Sequence, residues 1–139
     1  MHPISIIPAT IHQELAIAIG PDRIYDALLS AKAFTARSGG APATIDPTEG
    51  GAFSLFGGHI TGRNLELLPY QRIVQAWRAK TWREGDFSIV KFVLVPEGTG
   101  TQIVFDHVGF PPGEQEHLEK GWHENYWNPL KRTLEGAHG

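Results

Sequence analysis

Between residues 52 and 109 the chain alternates strand-like runs with short turns, and no other feature of its 139 residues constrains the fold as tightly. The runs are 52–56, 59–68, 72–82, 87–95 and 101–109, and each is bounded by a turn signal. The separators are Gly57-Gly58, Pro69-Tyr70-Gln71, Arg83-Glu84-Gly85-Asp86 and Pro96-Glu97-Gly98-Thr99-Gly100, all short enough for antiparallel hairpins. The middle of the chain is therefore read as a β-meander.

The flanks supply what such a sheet must bury itself against. Residues 11–19 alternate as a half-buried strand and stop at Gly20-Pro21, where Pro suits the first turn of a helix. Ile24, Tyr25, Ala27 and Leu28 then recur at helical spacing, with Asp22 near the positive end of the macrodipole, and residues 31–37 can add another turn. Residues 38–43 and 47–51 are Gly- and Pro-punctuated turns. After Pro111-Pro112-Gly113, Leu118, Trp122, Tyr126, Leu130 and Leu134 fall at four-residue steps and predict one long amphipathic helix over 114–134. Pro129 removes a backbone donor inside it, which predicts a kink or a change of direction. An antiparallel sheet with one apolar face and a single long amphipathic helix must pack on each other. The expectation is an α+β helix-grip fold: a curved antiparallel sheet of about six strands wrapped around the C-terminal helix, with one or two short helices after the first strand.

Composition sets the remaining bounds. A hydrophobic content of 41% over 139 residues fits one soluble domain spanning the chain, with a core from about 10 to 135. A formal net charge of −3 and a sequence pI near 6.1 argue against nucleic acid as a partner. No apolar run approaches the roughly 20 residues that cross a bilayer, so no membrane partner is expected. The first ten residues lack the pattern of a secretory signal, and the absence of cysteine excludes disulfides, thiolate metal sites and a cysteine nucleophile. A cytoplasmic location is expected.

Several short pieces share an order and spacing that separate this sequence from other α+β chains. They are Gly50-Gly51-Ala52-Phe53, Gly58-His59-Ile60-Thr61-Gly62, Ile73-Val74-Gln75-Ala76-Trp77-Arg78, Trp82, Gly100-Thr101, His107-Val108-Gly109-Phe110-Pro111 and Gly121-Trp122. Together they resemble the homologues of the activator of heat-shock protein 90 ATPase (AHSA-like), within the START-like (SRPBCC) superfamily. The likeness runs from about Leu15 to Leu134 and is densest between Gly50 and Trp127. In the eukaryotic activators it corresponds to the C-terminal of two domains. The resemblance implies a stand-alone START-like domain, monomer or homodimer, whose cavity between sheet and long helix takes a small hydrophobic or amphipathic molecule. A chaperone or other protein partner, a stress-response regulator and an enzyme acting on a hydrophobic substrate are the alternatives that it implies. No cofactor is implied.

Strand parity nominates the side chains facing the helix without reference to any family. Arg78 and Lys80 turn outward with Val74 and Ala76, leaving Ile73, Gln75, Trp77, Ala79 and Thr81 inward. By the same logic Ser88, Val90, Phe92 and Leu94 point inward, as do Ile103, Phe105 and His107, and Phe53 and Leu55 join them. Parity within 59–68 is ambiguous, because a bulge would flip half of it. The aromatic residues Phe53, Trp77, Phe92, Phe105, Trp122 and Tyr126 either fill an ordinary core or border a void. Gln75, Thr81, Ser88 and His107 favour a void, since polar groups on a buried face need partners. The candidate cavity lining is therefore Phe53, Leu55, Gln75, Trp77, Ser88, Phe92, Phe105, His107, Trp122 and Tyr126. Gly121, beside Trp122, is read as letting the helix approach the sheet.

The histidines do not form a metal pattern. His117 and His123 are six apart and so about 120° apart on the helix, His107 is the one inward histidine, and His2, His12, His59 and His138 are read as surface or terminal. No nucleophile elbow surrounds Ser54 or Ser88, and no Gly-rich loop opens a helix as phosphate binding requires. His107 with Tyr126 or Glu49 is the acid–base candidate, and no catalytic residue is assigned.

Overall fold

The computed structural model describes residues 10–136; His2 and His138, read as terminal, lie outside them. β1 (Thr10–Ile17) leads into α1 (Pro21–Leu29) and α2 (Ala31–Arg37). There follow β2 (Thr44–Ile45), β3 (Ala52–Leu55), a 3-10 turn (Phe56–Gly58), β4 (Ile60–Leu68), β5 (Arg72–Ala79), β6 (Ser88–Glu97) and β7 (Gly100–Val108). α3 (Gln115–Gly121), a π-helical turn (Trp122–Trp127) and α4 (Asn128–Gly136) run on as one C-terminal helix. Seven strands form one curved antiparallel sheet in the order β1-β7-β6-β5-β4-β3-β2, and the long helix lies against its inner face. The first strand pairs with the last, from Thr10 opposite Val108 to Ile17 opposite Thr101. The strand beyond the expected six is β2, whose two residues are too short to show a period.

Alternation drives the burial. Ile73, Gln75, Trp77 and Ala79 of β5, Ser88, Val90, Phe92 and Leu94 of β6, and Ile103, Phe105 and His107 of β7 are all buried. α1 begins at Pro21, and α2 is capped by Ser30, whose Oγ accepts from the Ala33 N–H at 3.1 Å. The ambiguity in β4 has a structural cause: its register with β5 shifts between Asn64 and Glu66, so burial alternates up to Asn64 and then lapses. Before the shift, Gly62 lies so close to β5 that a Cβ there would collide with the Ala76 carbonyl.

Three details differ from the periodicity. β5 ends at Ala79, where the Trp82 N–H closes a turn on the Ala79 carbonyl at 3.0 Å, so Thr81 leaves the sheet. β6 continues through Pro96, which pairs with Thr101 beyond the last β5 partner, Val93, where a missing N–H forfeits no bond to β5. Pro129 does not break the helix. Its ring crowds the carbonyl four residues back, and the preceding turn widens so that the Asn128 N–H bonds His123, five residues back.

Candidate functional site

A cavity of about 320 Å³ opens between the helix and one end of the sheet. Ile60, Trp77 and Ala79 form the sheet wall, and Leu118, Gly121, Trp122 and Tyr126 form the helix wall. Phe56 supplies the lip. It has a φ of 53°, followed by Gly57 at 67° and Gly58 at 95°, so three left-handed residues in succession reverse the chain between β3 and β4. The Phe56 ring is held edge-on against Phe34 at 5.3 Å and Tyr126 at 5.9 Å. His59, Thr81, Glu114, His117 and Asn125 line the rest of the space and make its margin polar. Glu114 Oε1 accepts from the Trp82 indole N–H at 3.1 Å, tying the β5–β6 connection to the start of the helix. Three carbonyls of that connection, those of Trp82, Arg83 and Asp86, accept from the Arg78 guanidinium.

Behind the cavity lies a second space of about 10 Å³, bordered by Leu28, Phe34, Phe53, Leu55, Gln75, Phe92 and Tyr126 among others. It has room for about one water. Tyr126 is the one side chain that lines both spaces. Burial raises its hydroxyl above the usual tyrosine pKa, opposed by the nearby Trp77 N–H and the Arg37 charge. Even so, the Trp77 N–H makes no full hydrogen bond, and Gln75 Oε1 is likewise buried without a partner.

Around His107 the polar groups satisfy one another. The Trp122 indole nitrogen can only donate, so His107 Nδ1 accepts from it at 3.0 Å. The neutral ring therefore carries its hydrogen on Nε2 and donates to Ser88 Oγ at 2.7 Å, and Ser88 donates to the Trp77 carbonyl at 2.9 Å. This directed chain links β7, β6, β5 and the helix with no orphaned end. Burial lowers the His107 pKa to about 3, which holds the imidazole neutral. Both ring nitrogens are occupied, and Glu49 is engaged elsewhere, accepting from the Leu67 N–H at 3.1 Å. The sequence pairing of His107 with Glu49 or Tyr126 is not formed.

The nominated residues thus divide into three groups. Trp77, Trp122 and Tyr126 line the cavity. Phe53, Leu55, Gln75 and Phe92 border the small space with Tyr126. Ser88, Phe105 and His107 border neither and are packed in the core, exposed by 1% or less. Periodicity missed Phe56, His59, Ile60, Glu114, His117 and Asn125. One signal for the last two was present: His117, Gly121 and Asn125 form a four-residue row beside the apolar row of Leu118, Trp122 and Tyr126. Gly121 opens the wall instead of drawing the layers together, since a Cβ there would meet only Asn125 Nδ2, at 3.7 Å.

Among the described residues no three His, Cys, Asp or Glu side chains are grouped to hold a metal ion, and no helix is long and apolar enough to cross a membrane. A further hollow of about 360 Å³, beside Ile17, Thr101 and Glu135, is more open and carries no aromatic wall.

The comparisons with known proteins agree on one family. The family model of the activator of Hsp90 ATPase homolog 1-like protein matches residues 18–135. The human activator of 90 kDa heat shock protein ATPase homolog 1 is 32% identical over 94 residues, which cover 68% of this chain and 28% of that protein. The match therefore spans little more than a quarter of that relative. Among solved structures, an HSP90 activator from Plasmodium falciparum is 26% identical with a TM-score of 0.86, covering 91% of this chain and 96% of that one. The Aha1 dimer from Colwellia psychrerythraea, 18% identical, shares the fold with a TM-score of 0.77 over 94% of this chain and 99% of that one. With its seven-stranded sheet gripping a C-terminal helix and a family match over residues 18–135, the chain belongs to the activator of Hsp90 ATPase homolog 1-like family.

Proposed function

We propose that this domain binds an apolar or amphipathic small molecule in the cavity between β4, β5 and the π-helical turn. The observation that carries this reading is the cavity itself: about 320 Å³, walled by Trp77, Trp122, Tyr126 and Leu118, with polar side chains at its margin. That combination of size, apolar lining and a few convergent polar groups is what small-molecule sites present. Titration with the neutral dye prodan tests it. A saturable, blue-shifted emission is expected, weakened about tenfold or more by Gly121→Leu, which projects a side chain into the space. Prodan emission that stays that of free dye, or a Gly121→Leu variant that binds as well as the parent, would sink the reading.

The family supports a second reading, a chaperone contact, because relatives carry the name of Hsp90 ATPase activators. An exposed apolar group on the outer face of the sheet favours it: Phe87, Ile89 and Val108 are 51%, 39% and 37% exposed, and Ile89 lies opposite Val108. Its test is the ATPase rate of an Hsp90 chaperone with and without the chain, where stimulation lost in Ile89→Glu supports it and an unchanged rate removes it.

A further inference from the structure

Two buried polar atoms of β5 lack partners, and their chemistry is complementary. Trp77 and Gln75 are 4% and 7% exposed and sit two positions apart on one face of the strand. The indole Nε1 of Trp77 is a donor with no acceptor; Gln75 Oε1 is an acceptor with no donor. Which end of the Gln75 amide is free follows from its neighbours. Asn64 Nδ2 donates to the Asp46 carbonyl at 3.0 Å, so Asn64 must turn its Oδ1 to Gln75. Gln75 answers with Nε2, at 3.0 Å, and its oxygen is left over. An unpaired buried donor or acceptor has given up water without compensation, so both atoms favour a polar group brought from outside.

Tyr126 stands between the two atoms' surroundings, lining both the cavity beside Trp77 and the small space beside Gln75. Its hydroxyl lies near the Trp77 N–H without completing a hydrogen bond to it, and it makes none to Gln75 Oε1, so a ligand head must compete with the tyrosine for the indole donor. Tyr126 belongs to the π-helical turn before Pro129, a widened piece of helix of the sort that recurs at functional sites.

We infer that the ligand is an uncharged molecule with an apolar body and a hydroxyl or carboxamide head, the head passing Tyr126 to accept from Trp77 Nε1 and donate to Gln75 Oε1. This rests on the small-molecule reading above and names the ligand class. Charge is disfavoured at that end. A carboxylate would set its oxygens against Gln75 Oε1, an ammonium would set its hydrogens against the Trp77 N–H, and the neighbouring Leu28, Phe53 and Phe92 offer no counter-charge. Arg37, whose charge reaches Tyr126, lines neither space; its guanidinium lies over Phe34 at 4.9 Å and donates to the Ala27 carbonyl.

A set of probes on one carbon skeleton tests the inference in the intact chain: 2-naphthol, 2-naphthamide, naphthalene and 2-naphthoate. Calorimetry is expected to show the first two binding about tenfold or more tighter than naphthalene, with 2-naphthoate the weakest. In nitrogen-15 spectra the Trp77 indole N–H signal should move downfield with 2-naphthol and 2-naphthamide and not with naphthalene. Trp77→Phe should bring the 2-naphthol to naphthalene ratio close to one, as should Gln75→Leu. Because Gln75→Leu also breaks the bond to Asn64, the indole signal of the parent chain decides the matter if that variant does not fold. If naphthalene binds as tightly as 2-naphthol, if the preference survives in Trp77→Phe, or if 2-naphthoate binds tightest, the inference is overturned. In each of those cases the cavity reading stands when prodan binds. If no probe binds and prodan does not either, both fall together.

Discussion

Around His107 the sheet and the helix meet without a gap, whereas around Tyr126 the same two layers enclose about 320 Å³. Both regions are aromatic, and both draw on alternate residues of neighbouring strands against one helix stripe. At the first, Phe105 and Trp122 pack with ring centroids 4.3 Å apart, and each polar atom of the His107 chain has a partner. At the second, two polar atoms of β5 have none. Trp77 belongs to both: its carbonyl ends the satisfied chain, while its indole nitrogen is one of the orphans. The contrast teaches that an inward polar residue is not by itself the mark of a ligand site. His107 and Ser88 satisfy each other inside solid packing, and the orphaned atoms, not the buried ones, mark the space.

The comparison breaks most sharply under truncation. Phe105→Ala in the solid region should cost about 3–5 kcal/mol, because a fully buried ring leaves a hole that rigid neighbours cannot close. Equilibrium urea unfolding measures it, and a loss below about 1 kcal/mol would show that this region is not close-packed.

Acid should strike the same region next. His107 has a pKa of about 3 in the fold against 6.5 in its ordinary state, so the unfolded chain binds a proton that the folded chain refuses. Its contribution is complete above pH 6.5 and is lost progressively as pH falls toward 3. Between pH 8 and pH 5 the loss from this one group is about 2 kcal/mol. His12 works in the opposite direction, since Asp106 and Glu14 raise its pKa and what it contributes is lost as pH rises. Urea midpoints at the two pH values should therefore separate, and His107→Gln should flatten the difference. An unchanged acid slope in that variant would assign it to other groups.

The open region should yield less. Phe56→Ala is expected to cost about 1–2 kcal/mol, since the ring is only half-buried and borders space already empty. A loss matching that of Phe105→Ala would erase the distinction between the two regions. Smallest of all, Gly121→Ala should stabilise the chain by about 0.5–1 kcal/mol through helix propensity, because the added methyl meets only Asn125 Nδ2 at 3.7 Å. Destabilisation there would mean that the helix wall needs its glycine.

Much of the fold was legible because it is written in local periods. Alternation put Trp77, Phe92 and Phe105 on one face of the sheet, and four-residue steps put Leu118, Trp122 and Tyr126 on one face of the helix. Both assignments depend only on how side chains leave the backbone. What a period cannot express is a local exception. The shift at Asn64, the left-handed Phe56 and the widened turn ahead of Pro129 each interrupt the regular geometry, and the last two shape the cavity wall.

From sequence alone came the identity of the inward residues and the family that their order resembles. Only the tertiary structure decided which of them border space. A cavity is the volume left over when two curved layers meet, and it depends on the separation of segments distant in the chain. Phe56, Thr81 and the helix residues Glu114 and Asn125 reach the same opening from three such segments. Whether a buried polar atom is satisfied is equally non-local, since His107 finds Ser88 and Trp122 while Gln75 Oε1 finds nothing. Periodicity sorts side chains by direction; closure of the helix on the sheet sorts them by what they meet.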